Sequence, residues 1–182
     1  MEQGVDKHVD LEGTLLADSI GACYIHCDVA KESEVESAIQ LAITWKGKLD
    51  ILFSNAGIGG IASSITSLDM EQVKHLISIN LVGKVHAIKH AERAMLRCST
   101  KGSIICTSSS PGNETTPEQV KTLVGEEGIL LRGKAATVED VAQAAVFLAP
   151  DDTGFITAHN LVIDGGYTSA VSSEFHLQVV KN

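Results

Sequence analysis

Three groups of residues have the types and positions needed to bind a ligand. They are Asp28, the run Ser54-Asn55-Ala56-Gly57 and the run Ser108-Ser109-Ser110, and each follows an apolar run that is typical of a β-strand. Carboxylate, amide and hydroxyl groups can bind a polar ligand, and small residues let a flat or phosphorylated ligand approach the backbone closely. Ordinary loop chemistry explains each group taken alone, so the hypothesis of a site depends on their common position.

The order of predicted elements supplies that common position. Apolar runs predict strands over residues 22–27, 49–53, 103–107 and 161–163. Between them, apolar residues recur with helical spacing. Alternating strands and helices imply a parallel sheet with right-handed crossovers, in a doubly wound α/β fold. Ligands of such sheets bind at the carboxyl ends of the strands, so we expect the three groups to share one edge.

Three helices are predicted with their starts. Ser33 and Glu36 could form a capping box for the first, and Thr137 caps the last, whose inward face would include Val138. The second would run without interruption from about Ser67 to Met95, with an apolar side. The residues on this apolar side are Val73, Leu76, Ile77, Leu81, Ala87, Ile88, Ala91 and Met95.

Composition excludes several classes of function. The 182 residues suggest a single domain over 1–182, and a net charge of −9 without a basic stripe argues against nucleic acid. Neither a signal peptide nor a membrane span is recognisable. The four cysteines indicate reduced thiols in a cytoplasmic protein.

Three further motifs are assigned no functional role. His86 and His90 have the i, i+4 spacing of metal ligands, but no third ligand accompanies them and no metal is expected. The stretch Gly57–Ala62 formally matches a dinucleotide fingerprint. It is rejected because no helix is predicted to begin directly at its end. Cys23 and Cys27 are interpreted as core packing.

The ordered motifs resemble a known family, the short-chain dehydrogenase/reductases, and within it plant members of the secoisolariciresinol dehydrogenase, momilactone A synthase and tropinone reductase type. The resemblance covers nearly all of residues 13–170. The motifs that carry it are Cys27-Asp28-Val29, Asn55-Ala56-Gly57, Ser78-Ile79-Asn80-Leu81-Val82-Gly83, the run from Gly102 to Ser109, and the tail from Phe155 to Tyr167.

The resemblance implies a Rossmann-like sheet and a nicotinamide cofactor, with NAD preferred over NADP. Asp28 and Val29 would contact the adenine end of that cofactor. Asn55, Ala56 and Gly57 would pack beside its ribose. Binding is expected to be weakened, for the reasons given below.

The resemblance also implies chemistry on a small, largely apolar alcohol or ketone. Ser109 would donate a hydrogen bond to the substrate oxygen, which stabilises charge that develops during hydride transfer. Asn80 would help to hold a proton-relay water, although a satisfied polar group on a helix explains this residue equally well. A homo-oligomer is compatible with the family.

The chain departs from the family pattern in two places. A tyrosine followed four positions later by a lysine should act as the acid/base pair, but neither Tyr24 nor Tyr167 has that neighbour. Nothing before Gly13 provides the glycine-rich turn that binds pyrophosphate.

We therefore expect an incomplete sheet, with strands missing at the N-terminus and after residue 110, and a non-native or disordered start over residues 1–12. A chain without its proton donor is expected to be catalytically impaired. The alternative is a non-catalytic remnant that at most binds subunits of the family.

Overall fold

The computed structural model describes residues 3–60, 64–109, 136–149 and 154–166. The chain divides into two compact units, Met1–Ser109 and Ser110–Asn182, and each is described by itself. All seven predicted site residues belong to the first unit. The prediction of one domain over 1–182 stays a prediction, and residues 110–135, which begin where strands are predicted to be missing, lie outside the described residues.

Helix α1, Gln3–Ile20, opens the first unit. It ends at Gly21, which has a φ of +67°, and the Ala22 amide donates to the Ala17 carbonyl. A residue without a side chain is favoured there because the left-handed conformation is strained for any other. The backbone is helical from Gln3 to Ile20. The non-native or disordered start over residues 1–12 stays a prediction.

The strand predicted over residues 22–27 is wrong: among the described residues this segment pairs with no strand. Side chains attach it to α1 instead. The Tyr24 hydroxyl donates to Asp10 Oδ1 over 2.9 Å, and a Cβ added to Gly13 would meet the Tyr24 ring. The physical reason is the absence, within the described part of the chain, of a strand beside it. The core packing predicted for Cys23 is also wrong, because that residue is exposed.

Helix α2, Glu32–Lys46, buries Val35 and Ile39 and ends at Gly47. The predicted capping box of Ser33 and Glu36 is wrong, because the helix begins earlier and its N-cap, Lys31, makes no side-chain cap.

Strands β1, Ile51–Ser54, and β2, Ser103–Cys106, form a parallel pair in which Ile51 lies opposite Ser103. The predicted parallel sheet is confirmed, and the fold is a partial, Rossmann-like α/β fold. Two further bonds continue the ladder beyond the strands, from the Ser103 amide to the Asp50 carbonyl and from the Thr107 amide to the Ser54 carbonyl.

The second predicted helix is divided into three parts. Helix α3, Met70–Ile77, is capped by Asp69, a π-helical segment covers Ser78–Val82, and helix α4 covers Gly83–Arg97. In the π segment the Gly83 amide donates to the Ser78 carbonyl, five residues back.

The core of the first unit lies where α2, α4 and the sheet meet. Its buried members are Ile39, Leu49, Ala91, Ala94 and Met95. Of the residues on the predicted apolar side, Ala87, Ala91 and Met95 are buried, whereas Ile77, Leu81 and Ile88 are exposed.

In the second unit, helix α5, Val138–Leu148, has the predicted cap at Thr137, completed by Asp140 as a capping box. The inward position predicted for Val138 is wrong, because 90% of this residue is exposed. The strand predicted over residues 161–163 is also wrong, since no strand pairs with it among the described residues. No helix in the described ranges is long and apolar enough to cross a membrane.

Candidate functional site

Two of the predicted groups lie at the carboxyl ends of neighbouring strands. Ser54 lies opposite Cys106 in the sheet, so Asn55 leaves β1 at the level where the chain leaves β2 toward Ser109. Asn55 and Ser109 are both exposed. The parallel register therefore brings the Asn55 loop and the segment that leads to Ser109 to one edge of the sheet.

Asn80 binds the backbone of the loop that follows β1. Its Oδ1 accepts from the Ile58 amide over 2.8 Å, and its Nδ2 donates to the Ile58 carbonyl over 2.9 Å. A Cβ on Gly57 would lie 3.3 Å from that Oδ1, tighter than ordinary contact, so a residue without a side chain suits the close approach. One N–H of Nδ2 and one lone pair of Oδ1 remain after these two bonds, so the role of Asn80 in holding a relay water stays a prediction.

Lys84 is a neighbour of the loop that the sequence analysis did not identify. Its Nζ donates to the Ala56 carbonyl over 3.1 Å from the first turn of α4. The only signal in the sequence is its place four residues after Asn80 on a predicted helix, where both side chains share a face.

Asp28 and Val29 lie against the beginning of the same helix. The Val29 carbonyl is 3.0 Å from His86 Nδ1, and a Cβ on Gly83 would lie 2.7 Å from Val29 Cγ2. Asp28 Oδ1 accepts from the Ala30 amide over 3.0 Å. A bulkier residue at position 83 would displace the Asp28–Val29 loop from the helix.

The turn at Asp28 is bonded to a charged side chain. The Asp28 amide donates to Glu34 Oε2 over 2.7 Å, and this bond together with the Lys31 ammonium lowers the pKa of Glu34. Burial, followed by the charges of Glu34 and Asp28, raises the pKa of the Cys27 thiol. These shifts favour a carboxylate at Glu34 and a neutral thiol at Cys27.

The predicted site residues are therefore joined to one another in steps. The 55–58 loop is bonded to Asn80 and Lys84, and the Val29 carbonyl to His86, all on one helical run. The Ser109 position is linked to the loop through the pairing of β1 with β2. Asp28, Asn55 and Ser109 all belong to the first unit.

Tyr24 lacks the properties of an acid/base tyrosine. Its hydroxyl donates to Asp10, and this bond, with desolvation and the Asp10 charge, raises its pKa. A tyrosine that exchanges a proton near neutral pH needs a shift in the opposite direction. Tyr167 lies outside the described residues.

Metal ligands do not assemble around the histidine pair. His86 binds the Val29 carbonyl, while His90 is buried and its Nε2 lies 3.0 Å from Glu32 Oε1. Within the described ranges, no three His, Cys, Asp or Glu residues are placed to hold a metal. The Gly57–Ala62 stretch leads into no helix as far as residue 60, and α3 begins only at Met70.

Comparison with protein families gives two matches. The profile described as "short chain dehydrogenase" matches residues 5–121. The profile described as "Enoyl-(Acyl carrier protein) reductase" matches residues 123–168.

Curated relatives come from several plants. The chain is 41% identical to the short-chain dehydrogenase reductase ATA1 of Arabidopsis thaliana, over 89% of this chain and 81% of the relative. It is 33% identical to (+)-cis,trans-nepetalactol synthase NEPS1 of Nepeta racemosa, over 85% and 76%. The match to ATA1 runs over 221 residues, more than the 182 of this chain, so ATA1 contains residues within the matched region that are absent here.

Solved structures share the fold. ElxO with NADP bound matches with a TM-score of 0.71 and 23% identity, over 91% of this chain and 86% of that one. NADPH-dependent 3-quinuclidinone reductase from Rhodotorula rubra matches with a TM-score of 0.71 and 22% identity, over 87% and 77%.

Proposed function

This chain belongs to the short-chain dehydrogenase family, whose members are NAD(P)-linked oxidoreductases, and from that premise we propose that it binds a nicotinamide nucleotide, NAD by preference, with impaired turnover of a small apolar alcohol or ketone. The observation that carries the proposal is the binding of one loop, at the carboxyl end of β1, by Asn80 and Lys84. A fixed backbone beside two small residues, Ala56 and Gly57, is what a flat ligand needs in order to approach closely.

The residues present fit such a ligand. Asn55, Ala56 and Gly57 leave an exposed edge without large side chains, and Asp28 supplies a carboxylate in a fixed turn. When bound, the nicotinamide ring would accept or release the hydride. Ser109 would donate a hydrogen bond to the substrate oxygen, which stabilises negative charge there.

Impairment follows from the missing proton donor. Tyr24 is held by Asp10, and its raised pKa keeps the phenol protonated. Loss of a positioned acid/base group lowers the rate on the order of a hundred- to ten-thousand-fold. Ser109 and the backbone of the loop after β1 would then support binding of the nucleotide better than turnover of a substrate.

Titration of the purified full-length chain with NADH, followed by nicotinamide fluorescence, tests the proposal. We expect saturable binding, weakened about tenfold or more in Asn80→Leu, because that variant leaves the Ile58 backbone groups without their partners. Ser37→Ala is the matched control, because it removes only an exposed hydroxyl bond within α2.

Two results would contradict this proposal. Absence of saturable NADH binding by the wild-type chain would refute the nucleotide site. Oxidation of secondary alcohols at about 1 s⁻¹ or faster, the lower end of ordinary enzymes, would refute the impairment.

A second candidate function is a subunit-binding remnant without catalysis. An apolar stripe runs along the exposed side of α4, and its members are Val85, Ile88 and Leu96. Such a stripe is typical of a helix that packs on another subunit. This function does not require nucleotide binding, so the NADH titration separates the two candidates. A cytoplasmic location remains a prediction.

A further inference from the structure

Lys84 binds a different kind of group from that bound by four other lysines of its unit. Four lysines lie within ion-pair distance of a carboxylate, namely Lys31, Lys48, Lys74 and Lys89. The Lys84 ammonium instead lies 3.1 Å from the carbonyl oxygen of Ala56, and no carboxylate lies within 4.0 Å of it among the described residues. Its positive charge is therefore not neutralised by a described ion pair.

The position of Lys84 gives that charge a use. The residue is half-buried in the first turn of α4, and Ala56 is the second residue beyond β1 at the carboxyl edge. An ammonium has three N–H donors, of which one is directed to Ala56. Two donors remain for a ligand at that edge.

We propose that Lys84 binds a phosphate oxygen of the nucleotide through these remaining donors. The inference rests on the proposed function and extends it, because it names the cation that meets an anionic ligand. The chain carries a net charge of −9, so an anion approaches against the average field and benefits from a local positive charge. The bond to Ala56 restricts the ammonium to the loop that would contact the ligand.

Two variants separate the charge of Lys84 from its hydrogen bond. Lys84→Gln keeps an N–H donor for the Ala56 carbonyl and removes the charge, whereas Lys84→Arg keeps both. The control is Lys74→Gln, which removes an exposed lysine paired with Glu71 in α3. Unfolding of each variant is followed by circular dichroism, so that loss of the fold is recognised.

The measurements are the dissociation constants of NADH and adenosine for the full-length chain. We expect Lys84→Gln to weaken NADH binding about tenfold, since a hydrogen bond to a charged group is lost, and to leave adenosine binding unchanged. Lys74→Gln should bind NADH as the wild type does, and Lys84→Arg should bind it more tightly than Lys84→Gln because it keeps the positive charge. The salt dependence of NADH binding should be smaller in Lys84→Gln, because less charge remains to be screened.

The outcomes discriminate between failures. If Lys84→Gln binds NADH as tightly as the wild type, or loses affinity for NADH and adenosine equally, the phosphate contact is refuted while the proposed function stands. If the wild-type chain binds adenosine but not NADH, both the contact and the proposed function are refuted.

Discussion

Glu32 connects the two helices that form the core of the first unit. From the first turn of α2 its Oε1 binds Lys89 Nζ and His90 Nε2 of α4. The hydrogen bonds from Lys89 and then His90 lower the pKa of Glu32 to about 2. His90 is buried, so this carboxylate also satisfies a polar group that water reaches poorly.

The Glu32 contact predicts a pH-dependent contribution to stability. Because the pKa is lowered on folding, the contribution is present above about 4.5 and is lost as the pH falls toward about 2. Glu32→Gln should therefore unfold at a lower urea concentration than the wild type at pH 7, and the difference should shrink between pH 5 and pH 3.

The matched control for this measurement is Glu71→Gln, which removes a more exposed partner of Lys74. Exposed pairs contribute little, so its urea midpoint should stay close to that of the wild type. A Glu32→Gln difference that is the same at every pH would contradict the assignment.

At the residue scale, the sequence predicts positions at strand ends better than it predicts partners. Asn55 and Ser109 could be placed at one edge because runs of aliphatic residues mark the strands before them. The roles of Lys84 and His86 could not, because a lysine or histidine on a helix surface has many equivalent explanations. Their partners are backbone carbonyls, which leave no mark in the sequence.

At the scale of elements, strand formation depends on neighbours. Residues 22–27 and 161–163 have strand-like composition, yet neither segment joins a ladder among the described residues. Residues 51–54 and 103–106 have a similar composition and do pair. Composition alone therefore does not predict a strand, because pairing also requires a partner strand.

Amide hydrogen exchange checks this difference. The Ser103 and Thr107 amides, which donate to the Asp50 and Ser54 carbonyls, should be protected, whereas those of residues 23–27 and 161–163 should exchange close to the rate of an unstructured chain. The comparison within one molecule is its own control. Strong protection in all four segments would show that the two unpaired ones have found partners.

At the scale of the whole molecule, the apolar stripe of α4 is an exposed surface. Val85 is 53% exposed and Leu96 is 72% exposed. These side chains lie away from the α4 face that buries Ala87, Ala91 and Ala94. Burial against a second copy would remove this apolar surface from water.

Self-association through the stripe can be measured by sedimentation velocity. We expect the wild-type chain to form an oligomer and Val85→Glu to shift it toward monomer, because a buried, unpaired carboxylate is costly. Gln72→Glu adds the same charge at an exposed position of α3 and should leave the oligomer intact. A monomeric wild type at tens of micromolar, far above the affinity of ordinary stable dimers, would contradict the expectation.

The π segment at Ser78–Val82 alters how the pattern of this helical run must be read. Bonds to the fifth residue instead of the fourth insert about one extra residue, which shifts the helical phase by about 100°. A wheel drawn continuously from Met70 to Arg97 therefore superimposes two different orientations. The count has to restart at Gly83, and any alignment or design that transfers a face across this point without a restart would assign the wrong residues to solvent.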